Sequence, residues 1–462
     1  MANIIFPNKA LTVNPLKVSQ AMGASLAFFG INRCLPLEHG AQGCTAFSRV
    51  FFTRHFREPI PLQTTALDHA VTVMGTDANV VEALKTISEH HRPDLIGLVT
   101  TGLSETQGSD ILGSIKAFRN AYPHYTDIAV APVNTPDTVG CLETGFAAAV
   151  EAIVAALVPE SRCPGRKPQQ VNVLLPSMFT PGDVETVGDW LGAFGLQPVL
   201  LPDLGDSLDG HIEQLGFSTL TTGGTDRSRI ATIGESAATL VIGPSLNKAA
   251  DLLKARTGVP DYRFPDLMGL DACDDFTAAL AAISGKPVPR QIVRQRAQLL
   301  DAMVDCHLQF GGVRAAVAAD PELLGALIRF FKDLGIDVPT AVSSVRSETL
   351  AGLPVDRVIV GDLEDLEQGA GECGVDLLVA NSHGADLARQ LDIPLLRAGF
   401  PLYDRFGGFA RRWVGYAGSR QIVFDIANLI AWQRREIKPY HSIYRQPATE
   451  VAGHRSQAAT SH

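Results

Sequence analysis

The segment from Pro36 to Pro59 gathers the side chains most able to do chemistry. It carries Gly40 and Gly43, with Cys44 directly after the second, and then Arg49, Arg54, His55 and Arg57 among Phe47, Val50, Phe51 and Phe52. Glycine has no Cβ, so backbone there can pass close to another object. A thiol beside such glycines can face outward as a nucleophile or a metal ligand, and nearby guanidinium groups would stabilise a thiolate or an anionic metal–sulfur cluster. The competing reading is a small buried hydrophobe, the commoner fate of a lone cysteine. Thiol chemistry also needs a second recognisable partner.

Few partners stand in the same chain. The cysteines are Cys34, Cys44, Cys141, Cys163, Cys273, Cys306 and Cys373, an odd and scattered set with no C-x-x-C. That pattern argues against a disulfide framework, a zinc ribbon and a self-contained ferredoxin-type cluster. If Cys44 holds a metal cluster, the remaining ligands must come from a second chain. Cys141, in Gly140-Cys141-Leu142-Glu143, is again a glycine-flanked cysteine after a predicted strand. It reads equally as a site residue and as a helix-start cysteine packed inward.

Other motifs lead to structure more than to chemistry. No phosphate-binding loop of the G-x-x-x-x-G-K-[ST] type and no G-x-G-x-x-G after a strand occurs. Gly205-Asp206-Ser207-Leu208 resembles a hydrolase serine box, but no histidine has the aspartate three residues before it that such a site requires, so 203–209 reads as an acidic surface loop. Asn381-Ser382-His383-Gly384 follows a predicted strand, where α/β folds place ligands, yet helix capping accounts for the same residues. His90-His91 suits a helix C-terminus, and Tyr440-His441 suits a terminal segment lying on a surface.

The elements that must hold these residues alternate along the chain. Apolar residues at Val18, Met22, Leu26 and Phe29 predict a helix over about 14–29, beneath the Cys44 segment. Strands are predicted over 95–101 and 128–133, with a loop over 102–108 and an alanine-rich helix over 145–157. After the proline-rich linker 159–169 the cycle restarts with strands over 171–175, 198–201 and 238–243, and a helix opened by Thr180-Pro181. A break at 285–289 precedes a long helix from Arg290 to about His307, then strands over 313–318, 358–360 and 376–380 and a final helix over 422–432. Short β-rich runs alternating with helices mean parallel sheet. The expected fold is α/β, three Rossmann-like doubly wound lobes with mostly parallel sheets, over residues 1–165, 166–289 and 290–445, with a polar tail at 446–462.

The 462 residues are 46% hydrophobic and 19% charged, a globular balance. The formal charge of −10 argues against nucleic acid as the main partner. No apolar run reaches a membrane span, and the first ten residues lack the features of a secretory leader, so a soluble, cytoplasmic protein is expected.

Taken in order, several of these segments resemble the nitrogenase component 1 family. They are His39-Gly40-Ala41-Gln42-Gly43-Cys44, Arg54-His55-Phe56-Arg57-Glu58-Pro59, Thr100-Thr101-Gly102-Leu103-Ser104-Glu105, Asn134-Thr135-Pro136, Arg397-Ala398-Gly399-Phe400-Pro401 with Asp404-Arg405, and Gly415-Tyr416. The resemblance runs nearly end to end. Within the family the chain is most similar to the smaller partner of NifE, in the scaffold on which the iron–molybdenum cofactor is assembled. The family's catalytic β subunit carries three cysteines for its share of the P-cluster. Here the first falls at Ser19, the second at Cys44 and the third at Gly102. The resemblance therefore implies no full P-cluster, but a [4Fe–4S] cluster shared across an interface, with Cys44 as the one ligand from this chain and a NifE-type subunit giving the others. It implies an α2β2 heterotetramer and a cofactor precursor held mainly in the partner. It also implies exchange with the nitrogenase Fe protein, a NifB precursor donor and apo-dinitrogenase as acceptor. Cys141 is then a neighbour of the cluster, with Ser19 and Gly102. Met74 and Gly75 are candidates for the lip where the Fe protein docks, and Arg54 for a contact with the partner. No independent enzyme activity is expected. The alternatives are a catalytic β subunit of the dinitrogenase or protochlorophyllide reductase type, and an ordinary α/β nucleotide-binding enzyme.

Overall fold

The alternation of strand and helix produces three parallel sheets in the computed structural model, which describes residues 2–9, 12–68, 72, 75–212 and 218–434. Met74, Tyr440, His441 and the tail from 446 lie outside the described residues. The strands are β1 (Asn3–Ile5), β2 (Cys34–His39), β3 (Gln63–Thr64), β4 (Leu95–Thr100), β5 (Ala129–Val133), β6 (Lys167–Leu174), β7 (Gln197–Leu201), β8 (Ser236–Ile242), β9 (Asp261–Phe264), β10 (Arg314–Ala319), β11 (Asp337–Ser343), β12 (Arg357–Val360), β13 (Leu377–Ala380) and β14 (Leu395–Arg397). They form sheets of order β3-β2-β4-β5, β7-β6-β8-β9 and β1-β12-β11-β10-β13-β14, with every ladder parallel. All six residues of β2 and all six of β4 are buried, as expected where helices cover both faces.

One strand comes from far away in sequence. β1 pairs with β12 through Asn3–Arg357, Ile4–Val358 and Ile5–Ile359, so the start of the chain lies at the edge of the third sheet. Three residues are too few for any period to announce them.

The helix beneath the Cys44 segment, α1, runs only over Gln20–Phe29. The sequence predicts it from about 14, but Ser19 stops it short. In extended conformation, the Ser19 hydroxyl accepts the Met22 N–H at 3.3 Å and caps the first turn. All ten residues of α1 are buried. It crosses the helix Leu142–Leu157 at the closest possible approach. A Cβ on Gly23 would sit 1.9 Å from the Leu142 carbonyl oxygen, and one on Gly145 would sit 1.9 Å from that of Gln20. Only glycine permits this crossing, and it sets Gln20 against Gly140 and Gly145, on either side of the start of that helix.

Two loop expectations are corrected in the same way. Residues 102–107 form a helical turn, with Thr101 and Ser104 capping each other's backbone. The segment 203–209 is not an acidic surface loop: Leu204–Ser207 is helical, Asp203 accepts the Gly205 N–H at 3.1 Å, and Leu204 and Gly205 are buried. In both cases short polar side chains hydrogen-bond to nearby backbone N–H groups, and that starts a turn no apolar period reveals.

One apolar core runs through all three sheets, and two smaller clusters lie under the remaining helices of the first and third sheets. Polar clasps fix the lobes further. Asp183 accepts the N–H groups of Trp413 at 2.5 Å and Val414 at 3.0 Å, and the Arg329 guanidinium reaches Asp266 at 2.6 Å. Between the lobes lies a cavity of about 70 Å³. It opens past the C-terminal ends of β6, β10 and β13 and is lined by His55, Glu143, Asp183, Asp320, Asn381 and Phe400 among others. Its ionisable residues are three carboxyl groups and one histidine, with no lysine or arginine.

Candidate metal centre

Cys44 lies in the first turn of α2 (Gln42–Phe56), five residues past the end of β2, and it is exposed. The turn between strand and helix is tight because Gly40 lies against Thr101, whose side chain would be 2.5 Å from any Cβ at position 40. Gly43 meets nothing, so it leaves open space beside the thiol. α2 lacks a side-chain cap and an acidic residue in its first turn. Its N–H groups there point the positive end of the helix toward the Cys44 region.

Burial and two neighbouring carboxyl groups set the state of the thiol. Burial pushes the Cys44 thiol above the ordinary cysteine range, and the nearby Glu38 and Asp137 carboxyls push it the same way. Free Cys44 is thus a protonated thiol at neutral pH, a poor nucleophile. It suits a ligand whose proton a bound metal displaces. The expectation that arginines stabilise this sulfur is corrected here. Arg49 donates to the Leu62 carbonyl, the Arg54 guanidinium lies 4.3 Å from the Tyr403 ring, and Arg57 donates to the Tyr403 carbonyl at 3.1 Å and covers Phe406. Arg49 therefore holds the helix to Leu62, just before β3, and Arg54 and Arg57 hold it to the 400–406 segment. His55 does the same from inside: its Nδ1 accepts the Leu402 N–H at 2.8 Å, and burial drops its pKa to about 3.

Two residues that the sequence does not single out complete the surroundings. Glu38 is the next-to-last residue of β2, where its carboxyl accepts from Thr45 at 2.8 Å and Ser25 at 3.2 Å, and burial raises its pKa. A charged residue within an otherwise apolar strand was its only signal. Asp137 follows the Asn134-Thr135-Pro136 turn. Its carboxylate would be 3.2 Å from a Cβ on Gly102, so it fills part of the space a side chain at 102 would take, and one of its oxygens is buried with no hydrogen-bond partner among the described residues. The segment is clamped by Lys17, which donates to the Asp137 carbonyl at 2.6 Å, and by Gln20, which donates to the Pro136 carbonyl at 2.6 Å. Nothing in the sequence spacing ties 17, 20, 102 and 137 together.

The other predicted residues divide. Gly102 and Asp137 meet, Asp137 acts on Cys44, and Ser19 adjoins the Lys17–Gln20 clamp. Cys141 faces inward. It is fully buried at the N-cap of the helix Leu142–Leu157, its N–H is bound by Thr144, and its thiol is raised by burial and by Asp320 of the third lobe. Gly75 is exposed, with positive φ and open space around it. His39 is a structural histidine: Thr65, Thr76 and Ser109 hold its ring, and burial lowers its pKa to about 4. Asn381 caps the turn after β13 by accepting the His383 N–H. Among the described residues no group of three or more His, Cys, Asp or Glu side chains could hold a metal ion. Among the described residues no helix is long and apolar enough to cross a membrane.

Comparison with known proteins gives the same outline. The model of the family described as nitrogenase component 1 type oxidoreductase matches residues 19–431. The nitrogenase iron-molybdenum cofactor biosynthesis protein NifN of Klebsiella pneumoniae is 45% identical over 96% of this chain and 97% of its own length. The protein of the same name from Nostoc sp. is 45% identical over 93% of this chain and 95% of its own. A solved structure titled nitrogenase Cp1 at pH 6.5 superposes with a TM-score of 0.87 at 33% identity, covering 94% of this chain and 97% of that one.

Proposed function

This chain belongs to the nitrogenase component 1 type oxidoreductase family, and from that premise we propose that it is one subunit of the scaffold on which the iron–molybdenum cofactor of nitrogenase is assembled. One observation carries the reading. Of the positions Ser19, Cys44 and Gly102, only Cys44 has a thiol, and it is exposed at the N-terminus of a helix. A catalytic β subunit would need a thiol at all three. The names of the relatives favour the same side of that choice.

Cys44 would then be this chain's ligand to a [4Fe–4S] cluster shared with a NifE-type partner. Such a cluster stores and passes single electrons, and its potential responds to nearby charge and solvent. The chain's own part is to present the sulfur. α2 is held by His55 and Arg57 against the third lobe, and Gly43 keeps the approach clear. Ser19, Gly102 and Cys141 contribute surroundings in place of ligands. The acid-lined, narrow cavity between the lobes is unsuited to an anionic precursor cluster, which supports a precursor held mainly in the partner. The full assembly is an α2β2 heterotetramer that receives precursor from a NifB donor, docks the nitrogenase Fe protein near Met74 and Gly75, and delivers to apo-dinitrogenase. Arg54 remains a contact candidate for the partner through the guanidinium edges that Tyr403 leaves free.

The test is anaerobic co-purification with the NifE-type subunit, read by iron content and electron paramagnetic resonance. Cys44→Ala is expected to remove the shared cluster, a loss of about four irons per pair, with both chains still folded. Unchanged iron and an unchanged signal would end the ligand assignment. Reduction of substrate by the purified pair at dinitrogenase rates would favour the catalytic alternative instead.

A further inference from the structure

The turn that carries Asp137 leaves β5 and is gripped at two successive carbonyls. Gln20 donates to that of Pro136 and Lys17 to that of Asp137, each at 2.6 Å. Lys17 thus meets the backbone of residue 137 and leaves its carboxylate alone. Among the described residues that carboxylate forms no ion pair, and its Oδ1 is buried with no hydrogen-bond partner. Buried polar atoms are nearly always hydrogen-bonded, so a rigidly placed exception calls for a reason.

The carboxylate faces residue 102. Its Oδ2 lies 3.2 Å, and its Cβ 3.5 Å, from where a Cβ on Gly102 would stand. Gly102 opens a helical turn at the end of β4, and Cys44 lies in the first turn of α2, just past the end of β2. β2 and β4 are parallel neighbours, with His39 beside Thr100, so both helix starts stand at the same end of one sheet. The Cys44 sulfur feels the charge: after burial, Glu38 and Asp137 push the thiol upward. Glu38 is enclosed and held by Thr45 and Ser25, whereas Asp137 keeps an oxygen without a donor. Arg49, Arg54 and Arg57 do not offset it, because they turn to Leu62, Tyr403 and Phe406. Gly43 meets nothing, so there is room beside the sulfur for a bound group. One-electron reduction adds negative charge to a cluster already anionic through its thiolates. A fixed carboxylate nearby disfavours that state, and cluster potentials respond to such charge.

We propose that Asp137 lowers the reduction potential of the cluster held at Cys44, its carboxylate standing in the space that a side chain on residue 102 would take. The proposal rests on the ligand reading of Cys44 above and adds to it. Position 102 is then more than a missing thiol, because residue 137 supplies a negative charge there. Lys17 and Gln20 are positioning residues that fix where the charge stands. A strongly reducing centre passes its electron onward and does not retain it on the scaffold.

The experiment uses the complex co-purified anaerobically with the NifE-type subunit. Iron per pair and the melting profile are recorded for every variant, and the midpoint potential is read by electron paramagnetic resonance in a redox titration. Asp137→Asn keeps the shape of the side chain and removes its charge. Iron and melting should be retained and the midpoint should rise. At a fixed ambient potential the ratio of reduced to oxidised cluster should increase about three- to tenfold, equivalent to about 30–60 mV at about 59 mV per tenfold. Asp137→Ser, also neutral, should move the midpoint the same way, and Asp137→Glu should return it toward that of the unaltered complex. Asp94→Asn removes a charge just before β4 begins, at the far end of the same strand, and should leave the midpoint in place. A midpoint unmoved or lowered in the neutral variants would overturn the proposal, as would an equal rise in Asp94→Asn. Loss of iron from the neutral variants would make the carboxylate a ligand or a structural strut, and would overturn it as well. Iron that follows Cys44 while the potential ignores residue 137 would leave the ligand reading standing and remove only the tuning. Iron indifferent to Cys44 would remove both.

Discussion

Replacing His55 with glutamine tests whether burial of a neutral imidazole couples α2 to the third lobe. His55 is buried, its Nδ1 accepts the Leu402 N–H at 2.8 Å, and its ring packs 4.4 Å from Phe56 and 4.8 Å from Phe400 between centroids. A protonated ring would lose the acceptor and place an unpaired charge in this apolar setting. Its folded-state pKa is accordingly lowered to about 3 from the ordinary 6.5. The unfolded chain takes up this proton near pH 6.5, whereas the folded chain does so only near 3. Stability from the neutral ring is therefore complete above pH 6.5 and is lost as the pH falls toward 3. Each unit in that window costs about 1.4 kcal/mol, so the step from pH 7.5 to 5.0 costs the native protein about 2 kcal/mol through this residue. Glutamine can still accept from the Leu402 N–H but does not titrate. It packs less well, and at pH 7.5 His55→Gln should be less stable by about 1–3 kcal/mol. At pH 5.0 that deficit should shrink by about 2 kcal/mol or reverse. Equilibrium urea unfolding followed by circular dichroism at the two pH values measures both numbers. The carboxyls of the neighbouring cavity titrate in both proteins, so they cancel in the difference. Parallel stabilities, with the gap between the variants unchanged by pH, would refute the argument.

Other perturbations follow from the same contacts. Gly23→Ala places a methyl group 1.9 Å from the Leu142 carbonyl oxygen. It should destabilise the first lobe by about 3 kcal/mol or more, seen as a lowered unfolding midpoint, because two backbones cannot move apart without unpacking. Asp183→Ala leaves the N–H groups of Trp413 and Val414 buried without their acceptor. It should cost about 2–5 kcal/mol and expose amides 413 and 414 to hydrogen exchange well before the sheet core. Tyr416→Phe removes a hydroxyl that donates to Asp274 at 2.6 Å. A loss of about 1–2 kcal/mol is expected in thermal unfolding, with no change in cluster iron.

Much of the architecture could be read along the chain because parallel α/β folding is written locally. Runs such as Leu95–Thr100 are apolar enough to be buried on both faces, and the intervening helices show their period. The elements that escaped were set by side-chain capping or by distant pairing. Ser19 shortens α1, Cys141 and Thr144 start a helix three residues early, and β1 finds its partner more than 350 residues away. At the metal-binding candidate, residue types singled out Cys44 beside the commoner reading of a buried thiol, and only the family resemblance gave the thiol-free positions Ser19 and Gly102 a meaning. The residue types also required that any further ligands come from another chain. The surroundings of that sulfur depended on tertiary packing. Arg54 and Arg57 of α2 turn to Tyr403 and Phe406, whereas Glu38 and Asp137 raise the thiol's pKa. Charge close in sequence does not fix charge close in space. One helix turn rotates a side chain to the far face, and a clamp such as Lys17 on residue 137 brings a carboxylate in from 93 residues further along the chain.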